Sequence, residues 1–216
     1  GTKRLILDSQ YYEIFNEDHV DLVDVRSAPI TEITKTGIRT TDQHYELDAI
    51  AFATGFDAMT GAMREIDIAV KDGPSLDQQW EAGPRTYLGL MVAGLPNLFM
   101  ITGPQSPGVK SQMILSIEWH VDWIANCLQY MKDKQFNRIE ATLDAQENWV
   151  KHVKEVADST LYPLANSWYM GVNIPGKPKV FMPYVGGVHT YTKECERVVA
   201  NGYEGFVMSK EEAHIS

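Results

Sequence analysis

Two short apolar runs in this chain lead into glycine. Ala49-Ile50-Ala51-Phe52-Ala53 precedes Thr54-Gly55-Phe56-Asp57, and Asn97-Leu98-Phe99-Met100-Ile101 precedes Thr102-Gly103-Pro104. A nearly continuous apolar run of this length predicts a strand buried on both faces. Glycine at the carboxyl end of such a strand lets a ligand approach the backbone closely, in the crevice where open α/β sheets bind their ligands. Near the first residue, Lys3-Arg4 sets two cations side by side. Taken alone, such a pair is a solvated charge patch. Trp168 lies in a Gly- and Pro-rich stretch over 166–179 and by itself reads as a half-buried anchor.

Other chemistries find no support. The six histidines show no metal-ligand spacing, and no metal site is expected. There is no Gly-x-Ser-x-Gly elbow and no phosphate-binding Gly-Lys-Ser loop, which removes two large enzyme classes. Cys127 and Cys195 lie far apart, form no disulfide framework and read as packing residues of a chain in a reducing cytoplasm. A net charge of −10 argues against nucleic acid and anionic membrane, whose binding depends on clustered Lys and Arg. No run of about 18 apolar residues exists, and Gly1-Thr2-Lys3-Arg4 does not open a signal peptide.

The elements that would position these residues follow from periodicity. Residues 20–25 alternate, 31–34 are β-branched, and Gly37 turns into 38–41, so the first fifty residues predict a small antiparallel piece. Over 111–132, Ile114, Ile117, Val121, Ile124, Leu128 and Met131 recur at helical spacing, with Ser111 or its predecessors as cap. A second helix over 143–161 has Trp149, Val153 and Val156 on its apolar stripe and stops before Pro163. A long ordered loop over 166–179, a strand at 180–185 and a helix near 190–201 complete the chain. Alternating strands and helices predict an α/β domain from about residue 54. The 216 residues, 44% hydrophobic and 22% charged, suffice for one core or parts of two domains.

The strand end Ala53-Thr54-Gly55-Phe56-Asp57-Ala58 resembles the ATG motif of two-dinucleotide-domain flavoprotein oxidoreductases. Alongside it stand Gly1-Thr2-Lys3-Arg4, Tyr11-Tyr12-Glu13, Gly83-Pro84-Arg85-Thr86-Tyr87-Leu88-Gly89, Ser167-Trp168-Tyr169 and Asn173-Ile174-Pro175-Gly176-Lys177-Pro178. In that order, these resemble the C-terminal part of Baeyer–Villiger monooxygenases of the phenylacetone and cyclohexanone type, over essentially the whole chain. The resemblance implies an α/β fold in which 1–47 finish an NADP domain, 48–53 form a linker strand, and 54–216 complete an FAD domain with a lid loop over 166–179. It implies FAD and NADP as cofactors, and NADPH-dependent conversion of a ketone to an ester or lactone with O2 through a flavin peroxide.

Carried over residue by residue, the family's essential arginine falls on Arg4. A permanent charge with a rigid fork of donors suits the stabilisation of a developing oxyanion. Lys3 would meet the 2′-phosphate of NADP, Trp168 would fold over NADP, and Thr54, Gly55 and Asp57 would lie near FAD. Ser106, Pro107, Gly108, Val109 and Met113 would line the ketone pocket, with Met113 also beside the flavin, where a helix N-terminus favours negative charge. The family's two Gly-x-Gly-x-x-Gly fingerprints and its Phe-x-Gly-x-x-x-His-x-x-x-Trp signature do not occur here. This chain alone is therefore expected to bind neither cofactor tightly and to need an N-terminal segment, from the same precursor or a second chain, as partner. An N- or S-oxidising flavin monooxygenase and a noncatalytic fragment or interaction domain are the alternatives.

Overall fold

Asp24 decides the path of the early chain. Its carboxylate accepts the N–H of Arg26 and the hydroxyl of Ser27, turning the backbone where 20–25 alternates. The expected strand at 20–25 does not form, since it has no ladder partner among the described residues. The computed structural model describes residues 2–3, 6–70 and 73–211. The chain divides into two units, Leu5–Gly55 and, together with the first four residues, Phe56–Ser216.

In the smaller unit, β1 (Ile30–Thr34), β2 (Gly37–Thr40) and β3 (His44–Glu46) form an antiparallel sheet in that order. The pairing of Thr34 with Gly37 leaves Lys35-Thr36 as a two-residue turn, so the predicted antiparallel piece is present.

The larger unit opens with two short helices, α1 (Gly61–Arg64) and α2 (Leu76–Gln79), the latter started by a reciprocal capping box between Ser75 and Gln78. Then come α3 (Met113–Asp133), β4 (Arg138–Ala141), α4 (Leu143–Asp158), α5 (Val188–Ala200) and β5 (Phe206–Ser209). β4 and β5 pair antiparallel, and neither was foreseen. Thr142 caps α4 by accepting the N–H of Ala145 at 3.2 Å. The main core joins Trp123, Cys127 and Met131 of α3, Ile139 of β4, Trp149 and Val153 of α4, and Tyr191, Cys195 and Val198 of α5. Burial pushes the Cys127 thiol up to about 12 and raises that of Cys195 further, so both stay protonated as packing groups.

The structure revises several expectations. Residues 49–53 and 97–102 form no strand, and Phe52 and Phe56 are exposed; a strand buried on both faces needs a ladder on each side, and 97–102 makes single backbone bonds instead, Asn97 N–H to Ile139 and Met100 N–H to Leu90. Residues 180–185 form one isolated bridge, Pro107 with Tyr184, in place of a strand. The second helix ends at Asp158, before 161. On α3 the buried face is Ser116, His120, Trp123, Cys127 and Met131, whereas Ile114, Ile117, Val121 and Leu128 of the predicted face are exposed. Ser111 does not cap this helix; its hydroxyl donates to the carbonyl of Pro107.

Trp149 sits where α4, α5 and the 105–107 loop converge, its ring beside Tyr184 and Tyr191 and its Nε1 donating to the carbonyl of Gln105. Trp149→Ala is expected to cost about 3–5 kcal/mol, read as a lowered urea midpoint, whereas Val121→Glu on the exposed face of α3 should shift it by less than about 0.5 kcal/mol.

Candidate cofactor and substrate site

The loop after residue 101 holds Thr102 at φ 52° and Gln105 at φ 68°. Such backbone in a residue with a side chain costs roughly 1–3 kcal/mol and persists only where the surroundings over-determine it. Gln105 is buried, and each of its polar atoms is engaged. Its N–H donates to Met182 at 2.6 Å, its carbonyl accepts from Trp149, its Oε1 accepts the Thr86 N–H at 2.8 Å, and its Nε2 donates to the carbonyl of Pro84. The Thr86 hydroxyl closes the network on the carbonyl of Pro104. Here the Pro84-Arg85-Thr86 stretch braces the loop.

A second brace comes from α3. The Thr102 N–H donates to Nδ1 of the fully buried His120 at 2.8 Å, and His120 Nε2 meets the Tyr191 hydroxyl at 2.8 Å. Because a backbone N–H only donates, Nδ1 is the acceptor and Nε2 carries the proton. Tyr191 accepts that proton's hydrogen bond and donates its own to the carbonyl of Leu88 at 2.5 Å. Burial lowers the His120 pKa to about 4, so the imidazole is neutral at pH 7.

Ser106, Pro107 and Gly108 are buried, and Val109 and Met113 half-buried. The Ser106 hydroxyl donates to the carbonyl of Gly103 at 2.7 Å, and its carbonyl accepts from the Tyr184 N–H at 2.8 Å. Val109 packs with Met59, Trp168 and Tyr169 around Met170, Phe181 and Val185. Gln112, the residue before α3, offers no side-chain cap, so the first-turn N–H groups beside Met113 have none from it.

Trp168 is half-buried in a 3-10 turn, Trp168–Met170, with its ring 3.9 Å from that of Tyr169. The carbonyl of Tyr169 accepts the Met182 N–H at 3.0 Å. The segment 182–184 therefore bonds to the Trp168 turn through Met182 and to the 105–106 backbone through Met182 and Tyr184. The structure thus brings together Ser106, Pro107, Gly108, Val109, Met113 and Trp168. Asp57 belongs to the same unit and pairs with Lys177. Thr54 and Gly55 are exposed and fall in the smaller unit, Lys3 is exposed, and Arg4 lies outside the described residues.

No protein-family model matches this chain. Among curated proteins, cyclopentanone 1,2-monooxygenase of Comamonas sp. is 42% identical over 209 residues, which are 97% of this chain and 38% of that one. Among solved structures, cyclohexanone monooxygenase from Rhodococcus sp. Phi1 bound to NADP+ superposes with a TM-score of 0.91 at 36% identity, covering 97% of this chain and 39% of that one. The chain is homologous to the C-terminal part of the Baeyer–Villiger monooxygenases. It spans about two fifths of the length of the relatives it matches. Phenazine N-monooxygenase PhzNO1 of Lysobacter antibioticus is 36% identical over 95% of this chain and 38% of its own length. A further solved relative, OTEMO, is a complex with FAD and NADP.

Ser106 to Val109 and Trp168 form a candidate wall for a bound group. The Tyr169 hydroxyl next to Trp168 is buried without a hydrogen-bond partner, leaving a donor for a bound polar group. Sequence reasoning missed His120, Tyr191 and Gln105, whose roles depend on partners up to 103 residues away, and nothing in their local spacing marks them.

The His120 relay has a pH signature. Its folded pKa of about 4 lies below the ordinary 6.5, so the unfolded chain takes up the proton first. The stabilisation is complete above about pH 6.5 and is lost as pH falls toward 4, by on the order of 3 kcal/mol. Urea unfolding at pH 7 and pH 4 is expected to show this loss in the wild type, and a smaller one in His120→Gln.

Proposed function

We propose that this chain is the C-terminal segment of an FAD- and NADPH-dependent Baeyer–Villiger monooxygenase that converts a ketone to an ester or lactone with dioxygen. The continuity of the likeness carries this reading, since it runs through nearly every residue to an enzyme solved with NADP+. Residues 1–47 finish an NADP domain, 48–53 link, and 54–216 complete an FAD domain. A division of the chain between Gly55 and Phe56 supports a boundary close to residue 54, while the first four residues group with the larger unit.

When bound, FAD reduced by NADPH supplies the activation of dioxygen. The residues of this chain supply the surroundings. Arg4 provides a fixed cation for charge developing on the ketone oxygen, and Lys3 provides a point charge for the 2′-phosphate of NADP. Ser106, Pro107, Gly108, Val109 and Met113 shape the ketone pocket, while Thr54, Gly55 and Asp57 adjoin FAD. The α3 N-terminus would offer the positive end of its dipole to negative charge on a bound flavin. Trp168 covers NADP and excludes water.

The chain by itself binds neither cofactor tightly and is inactive. Its partner is the N-terminal segment, which covers Ile114, Ile117, Val121 and Leu128 on the outer face of α3. These exposed apolar residues support that placement. No helix among the described residues is long and apolar enough to cross a membrane; the buried free cysteines suit a cytoplasmic setting. The phenazine N-monooxygenase relative favours nitrogen oxidation as a second reading.

The complete polypeptide is expected to carry flavin absorbing at roughly 350–500 nm and to consume NADPH faster when a ketone is added. Arg4→Ala should lower ester formation by about 10²-fold or more while retaining flavin. Preferential oxidation of aromatic amines over ketones would establish the second reading instead, and this chain alone should stay colourless with FAD.

A further inference from the structure

The loop that carries Trp168 is fastened at its far end to the first residues of the larger unit. Asn173 Nδ2 donates to the carbonyl of Phe56 at 3.0 Å. The Lys177 ammonium donates to the carbonyl of Ala58 at 3.1 Å and forms an ion pair with the carboxylate of Asp57. The Lys177 side chain is only 5% exposed, a state in which lysine is seldom found unless paired.

Both partners are seated against glycine. A Cβ on Gly61 would lie 2.7 Å from the Cβ of Asp57, so α1 must begin with a bare backbone for the carboxylate to reach inward. A Cβ on Gly171 would lie 3.2 Å from Cδ of Lys177 and 3.1 Å from the carbonyl oxygen of Pro178. The lysine stem thus lies across the residue that closes the Trp168 turn, where the Gly171 N–H donates to the carbonyl of Trp168 at 3.0 Å. Two links separate the ion pair from the backbone of Trp168.

We propose that Lys177, Asp57 and Asn173 form a latch that sets the position of the Trp168 loop. In the complete enzyme they act as positioning residues for its closure over the cofactor site. The second half of this inference rests on the monooxygenase reading given above; the first half does not. The ammonium is the enclosed member of the pair while the carboxylate side chain is 35% exposed, so removing Asp57 leaves an uncompensated charge on Lys177 in poorly solvated surroundings and favours release of the loop.

Amide hydrogen exchange on the 216-residue chain tests the latch. Asp57→Asn and Lys177→Met are expected to speed exchange within 167–179 by on the order of tenfold while α4 and α5 keep their protection. Lys177→Arg, which retains the charge, should stay near wild type. Unchanged exchange in both variants, or an equal rise throughout the larger unit, would overturn the latch. In the complete enzyme, Lys177→Met is expected to lower severalfold the fraction of NADPH oxidation that ends in ester and to raise KM for NADPH, with Lys177→Arg restoring both. A loosened loop with wild-type coupling would sink the positioning role. If the unaltered complete enzyme oxidised no NADPH, the monooxygenase reading would fall and the exchange result would stand.

Discussion

The backbone of 182–184 is the element on which the site depends. Met182 uses its N–H on Tyr169 and its carbonyl on Gln105, and Tyr184 uses its N–H on Ser106. An extended segment offers its hydrogen-bonding groups to both sides, and here each side is a loop instead of a strand. Two irregular stretches more than 60 residues apart thereby acquire a common reference. The side chains around this segment reinforce it, since Tyr184 packs against Trp149 and Phe181 lies with Tyr169 and Met170.

Irregular backbone of this kind survives burial only when its polar groups are accounted for. Gln105 acts as a surrogate secondary structure, filling with one side chain the donor and acceptor roles that a ladder would fill. His120 does the same from the helix side, and its tautomer follows from the direction of a single backbone N–H. These are side-chain solutions to a backbone problem, and they explain why two residues with left-handed φ values lie only three positions apart.

What the sequence made legible divides along physical lines. The helices α4 and α5 and the hairpin of β1 and β2 were readable because a single face or a two-residue turn determines them locally. The strand expectations at 49–53 and 97–102 failed because an apolar run reports burial without naming what does the burying. On α3, Ile, Val and Leu weighed more than Trp123, Cys127 and His120, yet the helix is apolar on two sides and the buried one is the side that carries the aromatic ring. β4 and β5 were missed because Arg138 and Glu140 alternate with Ile139 and Ala141 over only four residues. The candidate site was legible chiefly through motif resemblance. Its supports, Gln105, His120 and Lys177, acquire meaning only from partners distant in the chain.

The relay from Thr102 through His120 and Tyr191 to Leu88 is polar in the sense of a vector: each group donates in one direction, and neither end can be reversed, because one is a backbone N–H and the other a carbonyl. Evolutionary drift at these positions is therefore constrained as a pair. A phenylalanine at 191 would strand both the imidazole N–H and the carbonyl, and an apolar residue at 120 would strand the Thr102 amide. Among descendants of this sequence, positions 120 and 191 should change together or not at all, leaving a covariation signal between two residues 71 positions apart.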